Sequence, residues 1–138
     1  MNGQGQVLLE VVALRNGTEY QEAERLRRRI GSSKAMAESL TTSDEYAAVR
    51  LLIGTWDSIA KRVRAGDIQE GPFFESNPVQ HMWDALQGGI VVIRKRSKGP
   101  RYAEDFQWLV RKLRGWLKKP ANRKFRTASV EGINAHFG

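Results

Sequence analysis

The chain contains no cysteine. That excludes disulfide frameworks, thiolate zinc sites and cysteine nucleophiles together, and it suits a reducing compartment, so a cytoplasmic location is expected. Histidine occurs only twice, at 81 and 136, too few to build a histidine-based metal or catalytic centre without help that the carboxylates do not offer. No apolar run approaches the ~18–20 residues needed to span a bilayer. The run 7–14 is interrupted by Glu10 and has neither a basic lead nor a small-residue cleavage site, so no signal peptide is expected. Glycine-rich phosphate loops are missing as well, because Gly88-Gly89 lacks the lysine and spacing of a P-loop. The carboxylates are scattered over helix starts, where capping accounts for them. The reading is therefore non-enzymatic, with no catalytic, metal or cofactor residues and no cofactor.

What the chain does have is positive charge, concentrated near its end. Thirteen Lys or Arg lie between Arg94 and Arg126 against only Glu104 and Asp105, so this stretch carries +11 while the whole chain of 138 residues carries +8. Charge of one sign gathered in one region meets a partner of the other sign. With 41% hydrophobic and 28% charged residues, the totals suit a small globular domain able to bury a core of its own.

Helical periodicity dominates the chain. Residues 4–15 carry apolar side chains at 7, 8, 11, 12 and 14, a helical stripe that a short buried strand would also give. Asn16-Gly17 stops it, Thr18 with Gln21 has capping-box spacing, and a charged helix supported by Glu24–Arg28 runs to Gly31. A further short helical piece is expected over 33–40. Thr42 and Glu45 form a second capping box ahead of Val49, Leu52, Ile53, Trp56, Ile59, Ala60 and Val63, with Gly66 closing a helix over 43–65. Residues 67–76 read as a connector whose Phe73 and Phe74 plug the core. Asn77-Pro78 reads as an N-cap with proline at the first helical position. Val79, Met82, Trp83, Leu86, Ile90 and Ile93 then hold one face. The Gly88-Gly89 pair leaves two readings: one continuous helix with a close contact there, or a break followed by a short strand over 90–93. The last helix, 100–118, has acids in its first turn and bases in its last, with Tyr102, Phe106, Leu109, Val110, Leu113, Trp116 and Leu117 as its apolar stripe.

These elements predict an all-α fold, an irregular bundle of four to five helices over 1–119, with 43–65, 78–96 and 100–118 at its core and tryptophans 56, 83 and 116 dominating the packing. Residues 120–138 form a basic tail, either flexible or docked as a short helix over 129–137 carrying Val130, Ile133 and Phe137.

Candidate partner-binding residues follow from the charge. Arg94, Lys95, Arg96, Lys98 and Arg101 form a basic turn, more cations than a helix C-terminus requires. Trp108 falls about a third of a turn off the stripe at ~100° per residue, on a flank with Arg101, Lys112 and Lys119. Either it meets a ligand, as aromatics among cations do on nucleic-acid surfaces, or another helix or the tail covers it. Arg123, Lys124 and Arg126 extend the basic region into the tail. Arg25, Arg27, Arg28 and Arg29 are offset by Glu19, Glu22 and Glu24 and read as a solvated face. His81 with Asp84 reads as a surface pair.

Three segments carry a family resemblance. The strings YAAVRLLIGTWDSIAKRVRAGDI, VQHMWDAL and RKRSKGPRYAEDFQWLVRKL, preceded by EYQEAERLRRRI, are similar to the domain-of-unknown-function 4760 family. The shared features are an apolar helix ending in Arg64-Ala65-Gly66, a helix around Trp83, and a closing helix from Pro100 through Leu109. The likeness spans about residues 14–117. It implies an all-helical domain with no assigned activity and no catalytic residues to carry over. Many proteins of that family look membrane-tethered through an N-terminal helix, a pattern from which this chain departs.

The expected function is a non-enzymatic interaction module whose basic C-terminal surface engages an acidic protein or a second copy of the chain. Nucleic acid bound through the same cations is the alternative, and an anionic membrane surface is a further one, less favoured because no lipidation motif is present.

Overall fold

The computed structural model describes residues 3–32, 34–36 and 42–125, with side chains described from residue 10 onward except at 43. Among these residues there are six α-helices of defined bounds, a short 3-10 helix, further helical residues at 34–36 and 123–125, and no strand. The helices are α1 (Gly3–Asn16), α2 (Thr18–Ile30), α3 (Ser43–Arg64), α4 (Glu70–Ser76), α5 (Val79–Ser97) and α6 (Glu104–Lys118), followed by the 3-10 turn Pro120–Asn122. The all-α reading holds, and the added element is α4, a two-turn helix inside the stretch read as a connector. It presents Phe73 and Phe74 to the interior, as those residues were expected to do.

The long α3 is framed by both of its end signals. Thr42 Oγ1 accepts the Glu45 N–H at 3.1 Å, and its hydroxyl donates to Glu45 Oε1 at 2.7 Å. At the other end Gly66 takes φ +87°, its N–H reaching Val63 O and that of Asp67 reaching Arg62 O, the paired bonds of a Schellman close.

The starts of α2, α5 and α6 differ from expectation. Gly17, not Thr18, occupies the N-cap of α2 and offers no side-chain bond. Asn77 does not cap α5. Its Nδ2 closes α4 by donating to Phe73 O at 3.0 Å, and its Oδ1 accepts from Arg15 Nη1 at 3.0 Å, so α5 starts one residue later with Pro78 as its N-cap. Residues 100–103 are turn rather than helix because Ala103 adopts φ +62°. The start of α6 is capped from outside by Asp57 of α3, whose Oδ1 accepts the Phe106 N–H at 2.9 Å.

The core lies where α3, α5 and α6 meet, and α2 packs against α3. Trp56 stacks on Phe106 at 6.1 Å and 21°, and Trp83 meets the same ring edge-on at 5.2 Å and 82°. Trp56, Trp83 and Trp116 are all buried. α5 runs unbroken through Gly88-Gly89, and a Cβ at Gly89 would lie 2.6 Å from Val49 Cγ1 and 2.8 Å from Met36 Sδ. The absent side chain is what allows α5 to approach α3 there. The stripe of α1 is less buried than its pattern suggested: Val11 is buried, while Val12 and Leu14 are about half exposed.

Of the short piece expected over 33–40, residues 34–36 are helical and Met36 is fully buried; its remainder lies outside the described residues. So do the helix expected over 129–137, the possibility that it covers Trp108, and Arg126. The described part of the tail turns back at 120–122 and sets the Phe125 ring 5.3 Å from Trp116.

Candidate interaction surface

α5 and α6 run antiparallel, held by two polar rungs. Near the turn that joins them, Arg94 Nη2 donates to Gln107 Oε1 at 3.0 Å; near their far ends, Arg114 Nε donates to Gln80 Oε1 at 3.2 Å. Residues spaced at 3–4 between these rungs share the outer edge of the pair. On α5 they are Asp84, Gln87, Val91 and Lys95, continuing to Lys98; on α6 they are Arg111, Arg114 and Lys118, all exposed. Asp84 accepts from Gln80 Nε2 at 2.9 Å. Lys95, Lys98, Arg111 and Lys118 have no ion-pair partner among the described residues. Val91, 56% exposed, lies in a shallow notch with Arg94, Lys95, Lys98 and Pro100.

The candidate cations separate into three groups. Arg94, Arg101 and Lys112 are engaged within the protein. Arg94 Nε donates to Tyr102 O at 2.8 Å, which fastens the turn to α5. Arg101 Nε donates to Glu104 Oε2 at 2.9 Å. That bond, with the charge behind it, holds the Glu104 carboxyl below its ordinary value and raises Arg101 in turn; both groups are solvent-exposed. Lys112 Nζ lies 3.3 Å from Glu70 Oε1 on α4.

Trp108 belongs with these. It is partly buried against the core, with the Arg64 guanidinium 5.3 Å and the Lys112 ammonium 6.0 Å from its ring centroid. Arg64 also pairs with Asp105 at 3.2 Å. The ring therefore sits at the seam of α3 and α6, partly buried, with a cation of each helix beside it.

Lys95, Arg96 and Lys98 form the second group at the α5–α6 turn. Lys98 adopts the left-handed conformation that closes α5, φ 54°. Arg96 stands 5.5 Å over the Tyr46 ring. The third group, Lys119, Arg123 and Lys124, follows the end of α6; the Lys124 ammonium lies 5.0 Å from the Phe125 ring. Between the last two groups α6 spans ~22 Å at 1.5 Å per residue. Arg111, Arg114 and Lys118 fill that span, three cations of the basic stretch outside the candidate set. Their i, i+3, i+7 spacing, opposite the apolar stripe, is the signal that identifies them.

The second arginine cluster is not simply a solvated face. Glu24 and Arg27 are both buried, joined by Arg27 Nε and Nη2 to Glu24 Oε2 at 2.7 and 2.6 Å, whereas Arg28 is 4.0 Å away.

Among the described residues no helix is long and apolar enough to cross a membrane, and no group of three or more His, Asp or Glu is placed to hold a metal ion. No curated protein and no solved structure matches the chain significantly. The sequence profile of one family does match, over residues 9–113, taking in α1 through most of α6 and hence the whole α3/α5/α6 core. By that match the chain belongs to the family described as domain of unknown function DUF4760.

Proposed function

We propose that this chain is a non-enzymatic helical interaction module that engages an acidic protein surface through the outer face of the α5/α6 pair. The observation that carries the reading is the exposed set Lys95, Lys98, Arg111 and Lys118 along one face, without ion-pair partners among the described residues, with Lys95 and Lys98 bordering the exposed Val91. An apolar side chain bordered by unsatisfied charge is the pattern of a protein interface, where a small apolar centre is dried and a polar rim steers the partner. Self-association through this face would bring like charges together, so the partner is a different, acidic chain. Trp108 supports this reading as well, since it is partly buried against the core and has cations of α3 and α6 beside its ring.

Fluorescence anisotropy with a labelled Asp/Glu-rich amphipathic peptide, and with labelled single- and double-stranded nucleic acids, tests this at low and near-physiological salt. The reading expects the peptide to remain bound at near-physiological salt while nucleic acid is released. Nucleic acid held at that salt, with a steep salt slope, would replace the acidic-protein reading by the nucleic-acid one.

A further inference from the structure

A second polar site lies away from the basic face, where the end of α1, the inner face of α2 and the start of α5 meet. Tyr20, Glu24 and Arg28 recur at four-residue spacing on α2, which sets them on one side of that helix. With Arg15 of α1 and His81 of α5 they line a cleft of about 280 Å³. At ~30 Å³ per water this holds roughly nine waters, or one compact organic ligand.

The charges of the cleft do not balance. Arg15, Arg27 and Arg28 line it against a single carboxylate, Glu24, which Arg27 already holds through two nitrogens. Arg15 lies 5.3 Å over the Trp56 ring and donates Nη1 to Asn77, but its Nε is buried with no hydrogen-bond partner. A buried donor without an acceptor is rare in folded proteins and calls for a specific explanation. Tyr20 adds a second unfilled valence. Its hydroxyl oxygen accepts the Trp56 Nε1–H at 2.9 Å, and its own hydrogen has no acceptor among the described residues.

We propose that this cleft binds a compact ligand through a carboxylate or phosphate group, with Arg15 as the principal cation and Arg28 as the second. An oxyanion offsets the surplus charge, and guanidinium groups match its geometry. Glu24, fixed by Arg27, would accept from a hydroxyl elsewhere on the ligand.

The test uses the full ¹⁵N-labelled chain and follows the arginine Nε–H resonances by NMR during separate titrations with inorganic phosphate, succinate and, as an ionic-strength control, sodium chloride. The Arg15 signal is assigned by its loss in Arg15→Lys. A saturable shift of that signal with phosphate or succinate, absent with chloride, is the expected result. Which of the two saturates at lower concentration tells a phosphoryl from a carboxylate ligand. Arg28 is exposed, so Arg28→Gln should leave the unfolding midpoint unchanged while weakening Kd about tenfold, the scale of one charge-assisted hydrogen bond. The proposal is overturned if neither anion gives a saturable shift, if chloride gives the same one, or if Arg28→Gln leaves both affinities unchanged.

Discussion

Asp57, in the middle of α3, accepts the backbone N–H of Phe106 at 2.9 Å and so caps a helix that begins 47 residues later. α6 needs this because its own N-cap residue, Ala103, has no side-chain oxygen to offer. Replacing Asp57 by Ala should cost about 1–2 kcal/mol, the usual worth of an N-cap, and Asp57→Asn should cost less because its amide oxygen can still accept. Urea unfolding of the two variants checks this; equal losses would mean that charge rather than capping is the source.

Gly89 and Gly54 should respond to alanine in opposite directions. A methyl group at Gly89 meets Val49 Cγ1 at 2.6 Å and Met36 Sδ at 2.8 Å. Met36 can give, but Val49 is β-branched and stiff. Overpacking of ~1–3 kcal/mol should outweigh the ~1 kcal/mol gained in helix propensity. At Gly54 the methyl group meets nothing within 4 Å, so Gly54→Ala should stabilise by about 0.5–1 kcal/mol. Thermal unfolding of the pair reads both signs.

Trp83→Ala should destabilise by about 3–5 kcal/mol, the range for removing a large core aromatic, since it deletes the edge that Trp83 presents to Phe106. A loss below ~1 kcal/mol would place the core elsewhere.

Tyr20 makes stability depend on alkaline pH. Burial raises its phenol above the ordinary value, only partly opposed by the hydrogen bond from Trp56. The folded state therefore holds the proton more tightly than the unfolded chain. Its contribution is complete below about pH 10 and is lost as pH climbs through the raised folded value. The stability advantage of the native chain over Tyr20→Phe should accordingly be constant to about pH 10 and narrow above it. A gap that stays constant to higher pH would contradict this.

The extent to which sequence revealed structure varied with the range of the interaction. α3 was legible from end to end because Thr42, Glu45, the apolar period and Gly66 all act within a turn or two of themselves. Asn77 was misread because its amide has two uses in the fold, and one partner, Arg15, lies 62 residues upstream. The same holds for the basic region. Its charge was plain, but which cations were already engaged depended on Glu70, Gln107 and the Tyr102 carbonyl, none of which local spacing ties to them. Trp108 was correctly placed off the apolar stripe, yet the Arg64 that flanks it comes from another helix. The burial of Glu24 with Arg27 is not legible in the sequence, because a charged i, i+3 pair looks the same on a wet helix face as under a neighbouring one.

The central claim is that the partner is held by the unpaired cations of the outer face and not by those engaged inside the protein. Two variants of the full chain separate these roles: one combining Lys95→Gln, Lys98→Gln, Arg111→Gln and Lys118→Gln, the other Arg101→Gln and Lys112→Gln. Their affinities for the acidic peptide at near-physiological salt are the measurement. The account predicts that the first variant keeps its unfolding midpoint and loses binding about a hundredfold or more, while the second binds within about threefold of the native chain. Equal losses per charge in the two variants would reduce the surface to generic attraction and contradict the account.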